Sequence, residues 1–339
     1  MRLARSRRGM VLIFALWVLG ILTILAVSVA AGIREKILLV KRLDEISRMD
    51  CLLESAVKKT AGYIHGQMET SGFEFTPAVK MNLLNNSNEL TNITLGHDTA
   101  GVGYVADAPA GGSLRWGVVD EESKINLNTT NSQILANLIM NVLSWNEEKS
   151  QKLADALLDW RLNGESEING FYSEDYYSNL QHPYPKKSAA YETLDEMLLV
   201  EGMDRKIYDK LINYVTIYGS GAVNINTAPP QVLEAIGLPE TAVDKILTVR
   251  RGKDGTDATG DDYVFSRTFE IAADINAVVP LTLDEARAID AVNMRGLLTT
   301  SSFYYTVQAT GKLAGHANVQ TVRAVYSAQD DRIIYWNEG

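Results

Sequence analysis

The sequence predicts an α+β protein with a long N-terminal helix and an antiparallel sheet domain into which a large helical domain is inserted. Three observations predict it. Residues 10–33 form an uncharged apolar segment that continues as an amphipathic stretch to about residue 66. Alternating segments typical of strands lie on both sides of a helical block. Within that block one motif occurs twice, 98 residues apart.

Composition indicates a globular, acidic protein. Hydrophobic residues make up 46% of the 339 residues, so two or three domains with real cores are expected. The formal net charge is -10, but residues 1–9 hold four arginines and no acid, which leaves 28 basic and 42 acidic side chains downstream. An acidic body repels phosphate and argues against nucleic-acid binding. The single cysteine, Cys51, excludes an intrachain disulfide, and we expect a small core residue there.

The apolar segment predicts a membrane span. Its 24 residues would form a helix about 36 Å long, enough to cross a hydrocarbon core of about 30 Å. The arginines that precede it orient the N-terminus toward the cytoplasm. A cleavable secretory signal is the alternative, with its nearest candidate cut within residues 26–31, but the apolar stretch is too long for one.

The same helix is expected to continue beyond the membrane through residues 34–66, which contain no proline. Apolar and small side chains recur there at three- and four-residue spacing and form a stripe, which we predict to be a partner-binding face. The stripe consists of Ile46, Met49, Leu53, Ala56, Thr60 and Ile64.

Two β regions flank the helical block. In the first, residues 67–119, strands are predicted at 103–107 and 114–119 after a polar loop. In the second, residues 296–339, strands are predicted at 302–312, 318–328 and 332–336. A sheet divided in this way predicts that residues 120–295 form an insertion.

The inserted block contains two related units, at about residues 121–162 and 220–252. Ile-Asn-Leu-Asn-Thr at 125–129 matches Val-Asn-Ile-Asn-Thr at 223–227, and two helices follow each copy. We expect the asparagines to bond the local backbone and the threonine to cap the first helix. Capping boxes at Thr193 and Thr282 predict two more helix starts.

The N-terminal junction resembles the leader of type IV pilins and pseudopilins, in the run Arg7-Arg8-Gly9 followed by Met10-Val11-Leu12-Ile13-Phe14. The resemblance implies residues 1–9 as a leader, cleavage between Gly9 and Met10 by a prepilin peptidase, and N-methylation of Met10. It also implies a pilin-like fold, in which the helix is half in the membrane and half packed on the sheet. Phe14 departs from the family, whose main members carry glutamate at the fifth mature position.

Two families share the Asn-x-Asn-Thr repeat. The helix-hairpin-helix DNA receptors of competence systems need glycines that open backbone amides to phosphate. Here the second hairpin keeps Gly237 but has Pro239 and Glu240 where the second glycine would be, and residues 144–149 of the first copy contain no glycine. Carboxylates lie where phosphate would bind. A membrane-anchored periplasmic DNA receptor is the alternative function.

The chain resembles minor pseudopilin K of type II secretion more closely. That family's motifs occur in order, as Asp-Glu-Glu-Ser-Lys-Ile-Asn-Leu-Asn at 120–128, Leu-Leu-Asp-Trp at 157–160, a helix within 191–203 and Val-Asn-Ile-Asn-Thr-Ala-Pro at 223–229. Together with the leader, the resemblance covers about four fifths of the chain.

This resemblance implies a non-enzymatic component that caps the tip of the periplasmic pseudopilus and helps to initiate its assembly. It would be a single-pass inner-membrane protein with a cytoplasmic N-terminus and a periplasmic body. The implied partners are the I- and J-type minor pseudopilins, the major pseudopilin, the prepilin peptidase and secreted substrate proteins. Phe14 would be a signature of the tip position.

No cofactor is required, but the resemblance implies Ca²⁺ in the helical domain, because some family members hold it after the Asp-Trp motif. Oxygen ligands close together suit this ion. The alternative is a pair of solvated acidic loops. The candidate ligands are Asp159, Glu165, Glu174 and Asp175 in the first loop, and Asp254, Asp257, Asp261 and Asp262 in the second.

Overall fold

The structure, a computed structural model, describes residues 8–70, 88–106, 113–162, 168–169, 174–256, 259 and 261–339. Helix α1 (Arg8–Thr70) is continuous over 63 residues, as the apolar segment and the stripe predict. Its first part, through the apolar segment, is exposed, and its last part packs on a sheet. This arrangement confirms the predicted fold class.

Most of the predicted stripe is buried against the chain's own sheet. Met49, Leu53, Ala56, Thr60 and Ile64 are all buried, and Leu52 and Val57 extend the contact. Five of the six stripe residues therefore cannot bind a partner, so the assignment of the stripe as a partner-binding face is wrong for them.

Two side chains of this helix lie away from the core. Ile46 is 51% exposed, because the sheet begins one turn further along the helix. Cys51 is also exposed, and the expectation of a core cysteine is wrong. The helix turns about 100° per residue, so Cys51 lies beside the buried face and Leu52 lies on it.

The main sheet is antiparallel. Its strands are β1 (Ile93–Leu95), β2 (Asp98–Ala106), β3 (Ser113–Trp116), β4 (Val119–Asp120), β9 (Tyr304–Lys312), β10 (Val319–Ser327) and β11 (Arg332–Glu338), and β5 to β8 belong to the inserted domain described below. The strand order is β1-β2-β9-β10-β11, with β3 paired to β2 and β4 paired to β9. A short helix, α2 (Asn88–Thr91), precedes them. The sequence missed β1 and the first half of β2, in a stretch it predicted to be mainly loop.

Helix α1 packs on the sheet face that carries Val307, Ala309, Val322 and Ala324. Gly311 lets them approach closely, because a Cβ there would lie 3.0 Å from the side chains of both Leu53 and Met49, which would have to shift. At the N-terminal end of the contact between α1 and the sheet, Asp98 links the helix to the chain after β9. Its carboxylate accepts hydrogen bonds from the Arg48 guanidinium at 2.6 Å and from the Ala314 backbone N–H at 2.8 Å.

The helical domain leaves and rejoins the sheet at one place. Strand β4 lies opposite β9 in antiparallel register, with Val119 facing Thr306 and Asp120 facing Tyr305. The chain between these strands forms a domain whose apolar core is separate from the core under α1. The position of the helical block is therefore that of an insertion between neighbouring strands.

Short helices and two-residue strands build the inserted domain. The helices are α3 (Ser132–Leu143), α4 (Glu147–Arg161), α5 (Glu174–Ser178), α6 (Arg205–Leu211), α7 (Pro230–Ala235), α8 (Glu240–Arg250), α9 (Ile271–Val278) and α10 (Leu283–Met294). The strands are β5 (Ile125–Asn126), β6 (Val215–Thr216), β7 (Val223–Asn224) and β8 (Leu298–Thr299).

Both predicted capping boxes form. The Glu285 carboxylate accepts the Thr282 backbone N–H at 2.7 Å at the start of α10. The Glu196 carboxylate accepts the Thr193 backbone N–H at 3.0 Å, but the segment that follows, Leu194–Leu199, is a 3-10 helix.

Candidate functional site

An exposed apolar face of α1 lies between the candidate membrane span and the body. Ile37, Leu38, Leu39, Val40 and Leu43 are each more than half exposed. The helix that contains them is long and apolar enough to cross a membrane at its N-terminal end. Among the exposed apolar side chains, Leu39, Leu43 and Ile46 lie on one side of the helix, at four- and three-residue spacing. We call residues 37–46 of α1 the free helix face after them, because no side chain there belongs to the core of the described residues, although Glu45 lies 3.7 Å from His316.

The predicted processing site lies at the start of this helix. Gly9 and Met10 are helical, and the leader residues before Arg8 lie outside the described residues. Met10 and Phe14 are exposed, as a lipid-facing segment requires. The cleavage and the methylation stay predictions.

Three consecutive acids join the two domains at the point of insertion. Asp120, Glu121 and Glu122 each form hydrogen bonds to two parts of the chain. One is the segment that leaves the helical domain and enters β9, residues 302–306, which we call the outgoing chain; the other is the helical domain itself. We call this cluster the neck; it comprises residues 120–122 with Ser302, Phe303 and Thr306 of the outgoing chain and Thr216, Ser220, Asn224 and Thr227 of the helical domain.

Asp120 is buried, and none of the residues that the structure describes gives it a charged partner. Its carboxylate accepts hydrogen bonds from the hydroxyls of Ser302 and Thr227, both at 2.6 Å, and from the Asn224 amide at 3.0 Å. Burial raises the pKa of Asp120, although these bonds oppose the shift.

Glu121 differs because it has a cation. Its carboxylate lies 2.6 Å from the Lys124 ammonium and accepts the hydroxyls of Thr216 at 2.6 Å and Thr306 at 2.7 Å. Burial opposes its ionisation, but the attraction of Lys124 prevails and the pKa of Glu121 is lowered.

Glu122 resembles Asp120. It accepts the Phe303 backbone N–H at 2.6 Å and, more weakly, the Ser220 backbone N–H at 3.4 Å. Burial raises the pKa of Glu122 to about 7, and the nearby charge of Asp120 acts in the same direction. Sequence reasoning used this acidic run only for family resemblance and missed its role in joining the domains.

The two related units of the helical domain fold alike. In each, the first asparagine accepts the backbone N–H two residues later, Asn128 to Asn126 at 2.8 Å and Asn226 to Asn224 at 3.0 Å. The first asparagine of each unit also lies in a two-residue strand that pairs in parallel with a strand outside the unit, β5 with β6 and β7 with β8. The expected bonding of asparagines to the local backbone is confirmed.

The second asparagine of each unit holds a distant extended segment. Asn128 bonds both the N–H and the carbonyl of Tyr191, at 2.8 and 3.0 Å. Asn226 bonds the N–H and the carbonyl of Phe265, at 2.8 and 2.9 Å, and also the carbonyl of Thr300 at 2.9 Å.

An arginine at the end of the second helix completes each unit. Arg161 donates to the carbonyls of Leu127 and Thr130, and Arg250 donates to those of Ile225 and Ala228. The acceptor positions are again 98 residues apart. Each arginine thus fixes the loop that opens its own unit.

The predicted threonine cap is wrong. Asn131 caps α3 by accepting the Ile134 backbone N–H at 3.0 Å, and Pro229 occupies the cap position of α7. The Thr227 hydroxyl bonds Asp120 in the neck.

The second hairpin is acidic where phosphate would have to bind. Gly237 has a left-handed backbone in the turn, and Pro239 and Glu240 begin α8. Burial raises the pKa of Glu234, and the charges of Glu240 and Asp244 raise it further. A surface that disfavours one more negative charge argues against the DNA-receptor alternative.

The candidate calcium ligands do not come together among the residues that the structure describes. No three His, Cys, Asp or Glu side chains there could hold a metal ion. Asp159 forms a buried ion pair with Lys186 at 3.0 Å. Asp261 accepts the backbone N–H groups of Lys253 and Asp254, which closes its own loop.

The other candidates add no convergent oxygens. Asp175 is exposed at the start of α5, and Asp262 bonds the Thr259 hydroxyl at 3.0 Å. Glu165, Asp257 and the side chain of Glu174 lie outside the described residues. The described residues do not fit the ion, and calcium binding stays a prediction.

A membrane-length helix that extends past its antiparallel sheet, together with a helical domain inserted between adjacent strands, defines a pilin-like protein with an insertion. Comparisons with known proteins show what part of this chain is similar to. Residues 118–220 match the family model described as type II secretion system (T2SS), protein K. The type II secretion system protein K of Aeromonas hydrophila is 29% identical over 124 residues, which are 34% of this chain and 38% of that protein.

A solved structure supports the same fold. The GspK-GspI-GspJ complex from the type 2 secretion system of enterotoxigenic Escherichia coli contains a chain that matches with a TM-score of 0.63 and 15% identity. The match covers 88% of this chain and 99% of that one. The matched part of the chain is therefore similar to type II secretion system protein K, and the chain spans less than half the length of the curated relative that it matches.

The paired asparagines give a stability prediction. Asn226→Asp keeps the acceptor for Phe265 but turns a carboxylate toward two buried carbonyls. It should lower the free energy of unfolding of the helical domain by about 2–5 kcal/mol. Thermal and urea unfolding of residues 34–339 measure this. Gln133→Glu makes the same chemical change on an exposed helix position and should alter stability by less than about 0.5 kcal/mol. Equal effects of the two variants would contradict the role of Asn226.

Proposed function

We propose that this chain is a non-enzymatic minor pseudopilin of a type II secretion system, anchored in the inner membrane. In this proposal it caps the tip of a short periplasmic pseudopilus and helps to start its assembly for protein export. The observation that carries the proposal is the free helix face, an apolar surface next to the candidate membrane span on a chain whose residues 118–220 match the protein K model.

The free helix face is the surface we assign to partners. The buried face of α1 over residues 49–64 is occupied by the chain's own sheet, so we assign helix packing with another subunit to the exposed part of the helix, and outside the membrane span to residues 37–46. Apolar side chains at helical spacing suit a second helix. By analogy with the Escherichia coli complex, we propose GspI- and GspJ-type minor pseudopilins as partners, and the major pseudopilin below them.

Phe14 supports a position at the tip. A mature pilin places the charged amine of its first residue in or near the hydrocarbon region, where a charge costs about 2.5–3.5 kcal/mol or more unless it is paired. The fifth-residue glutamate of an incoming subunit pairs with the amine of the subunit above. A subunit with nothing above has no amine to pair, and a glutamate there would be an unpaired buried acid. Phe14 avoids that cost.

The bulk of the helical domain agrees with this position. It extends from one point of the sheet, between β4 and β9, and adds a second core to the body. Identical copies that each carried such a domain would stack poorly above one another. A single copy at the end of the filament avoids the problem and leaves the domain free to meet secreted proteins.

Processing of the N-terminus tests the pseudopilin assignment. We expect the mature chain to begin at N-methylated Met10, because a prepilin peptidase recognises a small residue beside a basic run at the cytoplasmic membrane surface. Mass spectrometry of the membrane-extracted protein measures this. Gly9→Leu should leave an inserted but unprocessed protein. An intact Met1 on the wild-type chain, or a cut near Ala31, would defeat the assignment.

Cysteine cross-linking in cells tests the partner surface and the tip position. In a Cys51→Ser background, cysteines at Leu39 or Leu43 should cross-link to other pseudopilins, because these side chains face outward next to the membrane. A cysteine at the exposed Asp290 of α10 is the matched control and should form no cross-link to a pseudopilin. Cross-links from position 290 to a second copy would contradict the tip position, and their absence from 39 and 43 would contradict the free helix face.

A further inference from the structure

The neck contains two buried acids that no cation neutralises. Glu121 is paired with Lys124, whereas Asp120 and Glu122 have only hydroxyl, amide and backbone N–H partners among the described residues. Each of the two touches both the outgoing chain and the helical domain. Their charge states therefore act on the contact between the domains.

The side chain of Glu122 lies between two chain segments, the outgoing chain at Phe303 and the loop after β6 at Gly219. On one side the Phe303 backbone N–H donates to it at 2.6 Å. On the other side Gly219 has a left-handed backbone, and a Cβ there would lie 2.6 Å from Cγ of Glu122. Ser220 follows, with its N–H at 3.4 Å. The carboxyl thus fills the gap where the loop after β6 meets the chain before β9.

The titratable and charged groups around Glu122 are acids and phenols, together with Lys124, which is paired with Glu121, and Arg323, which acts on Tyr218. Its own segment contributes Asp120, Glu121 and Lys124, and β9 contributes Tyr305. Burial raises the pKa of Tyr305, and so do the charges of Asp120 and Glu122. The loop after β6 contributes Tyr218, which stacks on Tyr304 and lies near Arg323 of β10. Of the described residues, no histidine is among these groups.

We propose that the neck is a pH-dependent joint, closed while Glu122 is protonated and loosened when Glu122 loses its proton to water. A neutral carboxyl fits the buried gap between Phe303 and Gly219. A carboxylate in the same gap, next to Asp120, favours an opening that admits water. Opening separates the outgoing chain from the loop after β6, so the helical domain gains freedom to rotate on the sheet.

The direction of the effect follows from proton linkage. The pKa of Glu122 is raised from 4.5 to about 7, so the closed neck binds the proton more tightly than the open neck. The stabilisation is complete below pH 4.5 and is lost as the pH rises through 7. Asp120 shifts in the same direction. Glu121, Asp98 and Glu285 have lowered pKa values, so their contributions change below the usual carboxyl range.

Hydrogen exchange of the full chain in detergent micelles tests this proposal. Protection factors, which already correct for the intrinsic exchange rate, give the opening constant at the Phe303 and Ser220 amides. Between pH 5.5 and pH 8 that constant should rise about 30-fold in the wild type. The amides within β10 serve as internal controls, and their opening constants should not rise with pH in this way. A flat profile at Phe303 and Ser220 would overturn the proposal without any variant.

Two matched variants assign the effect to one residue. Glu122→Gln cannot ionise and should show the same opening constant at both pH values. Glu121→Gln loses the Lys124 pair, so it should open more at both pH values while keeping the 30-fold rise. If Glu122→Gln folds and still shows the rise, the titrating group is not Glu122 and the proposal is wrong. If Glu122→Gln does not fold, the pH dependence of the opening constant at Phe303 in the wild type still tests the proposal, and a flat profile there overturns it.

Discussion

The pairing of β4 with β9 is the constraint on which the rest of the molecule depends. It requires the helical domain to return the chain to the residue opposite the one it left, with Asp120 facing Tyr305. The neck meets this requirement, because each of three consecutive acids bonds both the outgoing chain and the helical domain. Without these bonds, the domain would be joined only through the two residue pairs between β4 and β9, and it would be free to move against the sheet that packs on α1.

In the helical domain, the same set of side-chain hydrogen bonds to buried backbone groups occurs twice, once in each related unit. An asparagine fixes the opening loop, a second asparagine holds a distant extended segment, and an arginine from the end of the unit bonds the loop carbonyls. Buried backbone groups need partners, and short helices and two-residue strands supply few of them. Side chains therefore replace secondary structure. The second unit also reaches the neck through Asn224 and Thr227, which couples domain folding to attachment.

Much of this could be predicted from the sequence, because it depends on local patterns. The continuous helix, the β–α–β order, the repeat and both capping boxes follow from periodicity and motif spacing. Periodicity located the apolar stripe on α1, but it did not show which surface packs on the stripe. The same apolar pattern is expected whether the chain's own sheet or a partner subunit packs there. The bonds of Asp120 to Ser302 span 182 positions and have no local signal. The usable signal was an acidic run directly between the apolar residues Val119 and Ile125, where exposed acids would not be expected.

The central claim is that a complete pilin-like unit, α1 with its sheet, contains an inserted domain at β4–β9. Replacing residues 121–304 with Asn-Gly tests it most directly, because Asp120 and Tyr305 are opposite each other and a two-residue turn can close that hairpin. Circular dichroism and thermal unfolding of the shortened chain should show a helix and sheet that melt in one cooperative transition. A chain that lacks a cooperative transition would contradict the claim.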